Sequence, residues 1–295
     1  YKVKKISVLL RMNMMEEAKE AVEELLRNDP ELYDGYHMKT AILLEEKKYP
    51  EAILCAKEAA ERFPDDADLM YDYANATALS GAYEQALQIV SNAKQMKYFE
   101  DAKARFCFLE SEICAELGNM DRAIEKCDEC ISLETEQDFF SDARFMRINL
   151  ALAKNDFESA LQHAEQFIEK GARDSYYYAA LYFRPFCLSK LGKEEAAEKY
   201  YKEAISLYRM ATLQNLEVFD AYLYRAMCLK EIRQYEEALK LLEFIENMSN
   251  QIAEVHTIRA DVYKLTGKEG LAKEELEKAF QLKPELKAVY SEGGE

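Results

Sequence analysis

An alanine returns eight times along this chain, at Ala18, Ala52, Ala86, Ala123, Ala160, Ala197, Ala238 and Ala272, each early in an amphipathic helical segment. The successive steps are 34, 34, 37, 37, 37, 41 and 34 residues. A period in this range, with a helix on each side of a turn, specifies stacked helical hairpins that bury their apolar faces on their neighbours. Such stacking lets 295 residues fold without one oversized core. Composition agrees: 49% hydrophobic and 32% charged residues, with only 9 Gly and 5 Pro, suit continuous helix.

Local chemistry repeats with the same ruler. Five residues before the anchor stand Gly81, Gly118, Gly192 and Gly267, or Asn13 and Asn155, residues that tolerate the left-handed conformation closing a helix before a tight turn. Lys47 and Arg233 break this pattern, which predicts a strained or different turn there. The anchor is small because two helices cross closely, and seven residues later Ala59, Ala93, Cys130, Ala204 and Ala279 are small again. Pro30, Pro64 and Pro284, twelve residues after their anchors, stop the second helix. The four longer steps lack that Pro. Their extra residues (97–104, 134–142, 170–176 and 209–219) are expected to lengthen second helices or the joins.

The segments GYHMKTAILLEEKKYPEAILCAKEAAERFPDD (35–66) and VHTIRADVYKLTGKEGLAKEELEKAFQLKPEL (255–286) carry this small–large spacing with its closing Pro, and in them the chain resembles the tetratricopeptide repeat family. The resemblance covers nearly the whole chain. It implies an all-α, right-handed superhelical solenoid over 1–295, with repeats of roughly 1–32, 33–66, 67–103, 104–140, 141–177, 178–218, 219–252 and 253–290. Two departures stand out. Trp is absent, and Pro185 sits inside a first helix, which it should kink because the carbonyl four residues back loses its donor. A short helix over 285–290 is expected to cap the array.

By the same resemblance, first-helix residues 18, 15 and 11 places before each anchor face a concave groove. At 15 before stand His37, Tyr71, Phe108, Phe145, Tyr182 and Leu223, with Phe186 one turn beyond Tyr182. These rings either form an aromatic rail for an apolar or mixed peptide or pack between neighbouring first helices. At 18 before stand Asp34, Asp68, Asp142, Asp220 and Glu254. They either attract Lys or Arg on a partner or cap first turns, and the cap alone explains their position. At 11 before, Asn75 and Asn149 could clamp an extended peptide backbone or could be solvated. The clamp that some family members use to grip chaperone C-termini needs Lys and Arg. The equivalent places here hold Asp68, Tyr71, Asp72, Arg105, Phe108 and Leu109, so a carboxylate guest is disfavoured.

A net charge of −17 argues against nucleic acid and is compatible with a basic or apolar protein or peptide partner. No stretch approaches the roughly 20 apolar residues that span a bilayer. No signal peptide is visible, and the first residue is Tyr1 rather than Met, so a leader or further domain has room to precede it. Seven Cys, an odd count, favour a reducing, cytoplasmic compartment. Cys107, Cys114, Cys127 and Cys130 fall on one repeat, but at interior places, so packing is favoured over a metal site. His37, His163 and His256 lie on different repeats, and no nucleophile turn or phosphate loop accompanies them. The expectation is a protein with no cofactor or metal and no catalysis. It is a scaffold binding a peptide along its groove, or else a co-chaperone array holding unfolded segments or a peptide-responsive sensor.

Overall fold

The structure, a computed structural model, describes residues 2–12, 14–135, 138–170, 175–215, 218–249 and 251–292. Contacts divide it into two compact bodies, Tyr1–Ala143 and Arg144–Glu295. The N-terminal body holds α1 (Lys2–Arg11), α2 (Met15–Asn28), α3 (Tyr33–Glu45), α4 (Tyr49–Arg62), α5 (Ala67–Leu79), α6 (Tyr83–Ala93), α7 (Phe99–Glu116) and α8 (Met120–Ser132). The division falls in the first turn of α9 (Ser141–Ala153). The C-terminal body continues with α10 (Phe157–Lys170), α11 (Ser175–Lys190), α12 (Glu194–Gln214), α13 (Phe219–Glu231), α14 (Tyr235–Met248), α15 (Ala253–Leu265), α16 (Glu269–Leu282) and α17 (Leu286–Glu292). Among the described residues there is no strand.

Each anchor alanine sits in the first turns of an even-numbered helix and is at most 1% exposed. Its amide closes that helix's first turn. Ala52 N donates to Lys48 O (2.9 Å), Ala123 N to Asn119 O (3.0 Å) and Ala272 N to Lys268 O (3.1 Å), with the same bond at the other five. Just upstream the first helix ends in a paired cap. Gly118 N donates to Ala115 O (2.9 Å) and Asn119 N to Cys114 O (2.8 Å). These two bonds recur at Lys47, Gly81, Asn155, Gly192, Arg233 and Gly267, and all seven residues have positive φ. Satisfying the last carbonyls of one helix while starting the next fixes the hairpin angle.

Of the two expectations for Lys47 (φ 56°) and Arg233 (φ 63°), the strained turn is the one observed: both close the helix as glycine does. They adopt the glycine conformation because the flanking helices dictate it, at the steric cost a Cβ carries there. Asn13 lies outside the described residues. The extra residues between Ala86 and Ala123 lengthen the next first helix, α7, to 18 residues, whereas those after Ala197 lengthen the second helix, α12, to 21. The terminal helix covers Leu286–Glu292, and α11 runs unbroken through Pro185.

In the N-terminal body α1 packs on α3, α3 on α5 and α5 on α7; in the C-terminal body α11 packs on α13 and α13 on α15. Second helices meet first helices instead. First helices thus form one wall of each body, and the anchors and their partners fill the space behind it. In the C-terminal body that filling is aromatic: Tyr182, Tyr201 and Tyr208 are buried, and Tyr208 donates to the Tyr178 carbonyl at 2.7 Å. All seven cysteines are buried free thiols. Burial pushes Cys107 up to about 11 and Cys130 to about 12, and Cys127 Sγ donates to Ala143 O at 2.9 Å.

Lys47→Gly should raise stability by about 1 kcal/mol, read as a higher urea midpoint. Gly118→Ala should cost about 1 kcal/mol through backbone conformation alone, since an added Cβ there meets nothing within 4 Å. Ala86→Leu should cost about 1–3 kcal/mol by overpacking the crossing. Unchanged midpoints would contradict the shared cap and the close crossing.

Candidate functional site

The first-helix wall of the N-terminal body carries side chains that the core does not absorb. His37 on α3 remains half exposed, and its Nδ1 lies 2.5 Å from Oδ2 of Asp72 on α5, a carboxylate only 6% exposed. The hydrogen bond to Asp72 raises the His37 pKa above 6.5, while burial raises that of Asp72 above 3.8. Tyr71 is half-buried, edge-on to Phe106 at 5.6 Å, with the Arg105 guanidinium 4.0 Å above its ring. Arg105 also pairs with Asp68, which is exposed. Asp68 is not the helix cap; Asp66 Oδ1 accepts from the amides of Asp68 and Leu69 at 3.0 Å. Both acids at this end of the wall are thus engaged, Asp72 by His37 and Asp68 by Arg105.

One turn on, the arrangement changes. Asn75 (α5) and Glu112 (α7) line a hollow of about 230 Å³ with Leu79, Tyr83 and Glu116. Tyr83 donates to Glu116 Oε2 at 3.4 Å. Glu112 is exposed along one side, and among the described residues it has no ion pair or hydrogen bond. Crowding within the hollow, then repulsion from Asp142 and Glu116, raises its carboxyl to about 7. Phe108 stands half-buried one turn before it on the same helix. Glu112 stands eleven residues before Ala123, in the row of Asn75 and Asn149, where a pattern of Asn does not single it out.

In the C-terminal body the row behaves differently. Tyr182 is 4% exposed, stacked at 5.8 Å on Phe186 and 5.9 Å on Tyr224. It is a packing residue, because the aromatic filling between α11, α12 and α13 closes over it. Phe145 is half-buried, stacked at 4.5 Å on Tyr176 and 6.2 Å on Phe183 of the neighbouring first helix. Phe186 is half-buried against Phe157 at 6.3 Å. Asn149 is exposed on α9, and Asp142, also exposed, lies in that helix's first turn. The structure therefore places Tyr71, Asn75 and Phe108 on first helices with His37, Arg105 and Glu112, buries Tyr182, and leaves Phe145 and Phe186 half-buried in ring stacks. Among the described residues no helix is long and apolar enough to cross a membrane.

Two profiles, each described as a tetratricopeptide repeat, match the sequence, one over residues 43–104 and the other over 104–137, 186–209 and 253–286. No curated protein matches it. Among solved structures, the apo form of the quorum sensor NprR from B. thuringiensis aligns with a TM-score of 0.68 at 14% identity, over 96% of this chain and 86% of that one. A tetratricopeptide repeat protein from Parabacteroides merdae aligns at 0.61 and 15% identity, over 85% and 93%. A chain of the APC/C hetero-tetramer Cut9–Hcn1 aligns at 0.59 and 15% identity; the match spans 92% of this chain and half the length of that one. At these identities the likeness fixes the fold.

Because the His37 shift is upward, its pairing with Asp72 stabilises the body below pH 6.5 for as long as Asp72 is ionised, and is lost as pH rises through the folded-state His37 pKa. Proton NMR titration should give His37 a pKa above 6.5, falling back toward 6.5 in Asp72→Asn. An unshifted His37, or one indifferent to that substitution, would refute the pairing.

Proposed function

The chain belongs to the tetratricopeptide repeat family, and from that premise we propose that it is a non-enzymatic scaffold. It holds an extended peptide bearing a basic side chain along the first-helix wall of its N-terminal body. The fold is one typical of protein–protein interaction, because stacked hairpins present a long continuous wall to a guest chain. The observation that carries the finer reading is Glu112, an unpaired carboxyl raised to about 7 in a hollow it shares with Asn75. A lysine or arginine entering the hollow supplies the missing counter-charge and returns Glu112 to its ionised form. The Asn75 amide can donate to and accept from the guest backbone at once. Tyr71 and Phe108 offer rigid apolar area on either side of the register. The net charge of −17 favours such a guest at a distance as well.

A second reading, in which a signalling peptide alters the packing of the repeats, draws on the likeness in fold to a quorum sensor. It uses the same wall and differs in predicting a change of dimensions on binding.

A random peptide library panned on the chain should enrich sequences containing Lys or Arg. Glu112→Gln and Phe108→Ala should each weaken the selected peptide about tenfold with unchanged helicity by circular dichroism. Since Glu112 is ionised above about pH 7 and protonated below, binding should tighten from pH 6 to 8, and Glu112→Gln should flatten that slope. Enrichment of acidic peptides, or equal affinity in both variants, would reject the proposal.

A further inference from the structure

The C-terminal body contains a second hollow, of about 750 Å³, where the start of α12 meets the end of α13 and the turn into α14. Its wall is Glu194, Glu195, Glu198 and Glu231, with Tyr201 at its side and Arg233 as the one basic residue lining it. Some of this charge is answered locally. Ser189 Oγ donates to Glu194 at 3.1 Å, Lys202 pairs with Glu198 at 2.5 Å, and Lys230 with Glu231 at 3.2 Å. Among the described residues Glu195 has no ion pair or hydrogen bond.

Tyr201 supplies the independent observation. It is only 4% exposed, and its hydroxyl, sealed from solvent, has no hydrogen-bond partner. Neighbouring phenols do not share this condition: Tyr208 donates to a carbonyl, and Tyr182 reaches Glu231 Oε1 at 3.5 Å. Burial, then the Glu231 charge, raises the Tyr201 pKa, so the hydroxyl stays neutral and can both accept and donate. A buried polar atom left unpaired costs more than the bond it would make is worth, so its retention beside a charged hollow calls for a ligand-side explanation. The ring adds a π-face for a cation.

We propose that this hollow is a binding site for an organic cation, an alkylammonium or guanidinium group, held by Glu195 and Glu231 and accepted by the Tyr201 hydroxyl. A metal ion fits less well, because among the described residues no three His, Cys, Asp or Glu converge as a metal site. The hollow is instead large enough for a chain-borne group whose several N–H donors reach separated carboxylates. This site lies in the other body from the Glu112 hollow and does not depend on the peptide proposal.

The test is NMR titration of the whole chain with two probes, the tripeptide Gly-Lys-Gly and spermidine, following Tyr ring and Glu carboxylate resonances. Saturable shifts at Tyr201 and Glu231 are expected with at least one probe, and which one saturates first tells a side chain of a partner from a free polyamine. Tyr201→Phe, which keeps the ring, should weaken that binding about tenfold or more, and Glu195→Gln should weaken it too, while Glu112→Gln should leave it unchanged. Absence of shifts at Tyr201 with both probes at millimolar concentration overturns the proposal. So does a Tyr201→Phe variant that binds as before and merely unfolds at higher urea, because the hydroxyl would then be only a tolerated packing defect.

Discussion

The structure depends on one short turn in which a first helix is closed and a second begun by three consecutive kinds of bond. A residue with positive φ donates back into the finishing helix, its successor does the same one step further, and that successor's carbonyl then accepts the amide of a fully buried alanine. Every group involved would otherwise be an orphan of a helix end. Because the same residue ends one network and opens the next, the angle between the two helices is set by backbone chemistry rather than by large side chains. The alanine then has to be small, since the crossing that the turn imposes leaves no room beyond a methyl group.

From that constraint the separation of roles follows. First helices pack on first helices within each body, and second helices lie behind them. Residues of the first helices that point away from the second have no structural partner assigned by the repeat itself, and whatever they carry is available for other uses. In the C-terminal body Phe145 stacks half-buried on Tyr176, and Tyr182 lies buried within a cluster that includes Tyr201, Tyr208 and Tyr224. In the N-terminal body the same row leaves Tyr71 and Phe108 half-buried and Glu112 unpaired.

The fold was legible because it is written in residues whose constraint is absolute: a methyl group at the crossing, a positive φ at the turn, a proline two residues past α2, α4 and α16. Even Lys47 and Arg233, which look like exceptions, obey the backbone geometry, because the surrounding helices outweigh a local preference of about 1–2 kcal/mol. The site was only half legible. A period places Tyr182 and Tyr71 in equivalent positions, but it cannot say that bulky neighbours on α12 and α13 close over one and not the other. Nor does it give the state of a carboxylate, since Glu112 is raised first by burial in the hollow and then by repulsion from Asp142 and Glu116. The Tyr201 hydroxyl is likewise a property of three dimensions: in sequence it is one tyrosine among 20.

On the proposed function, a guest chain lies on the first-helix wall of the N-terminal body, freed from packing by the turn chemistry behind it. A crystal structure of the chain with a library-selected basic peptide tests this most directly. The guest should run across α3, α5 and α7 with its basic side chain against Glu112 and its backbone on Asn75. A guest seated on the outer faces of α4, α6 and α8, with Glu112 still unpaired, would contradict it.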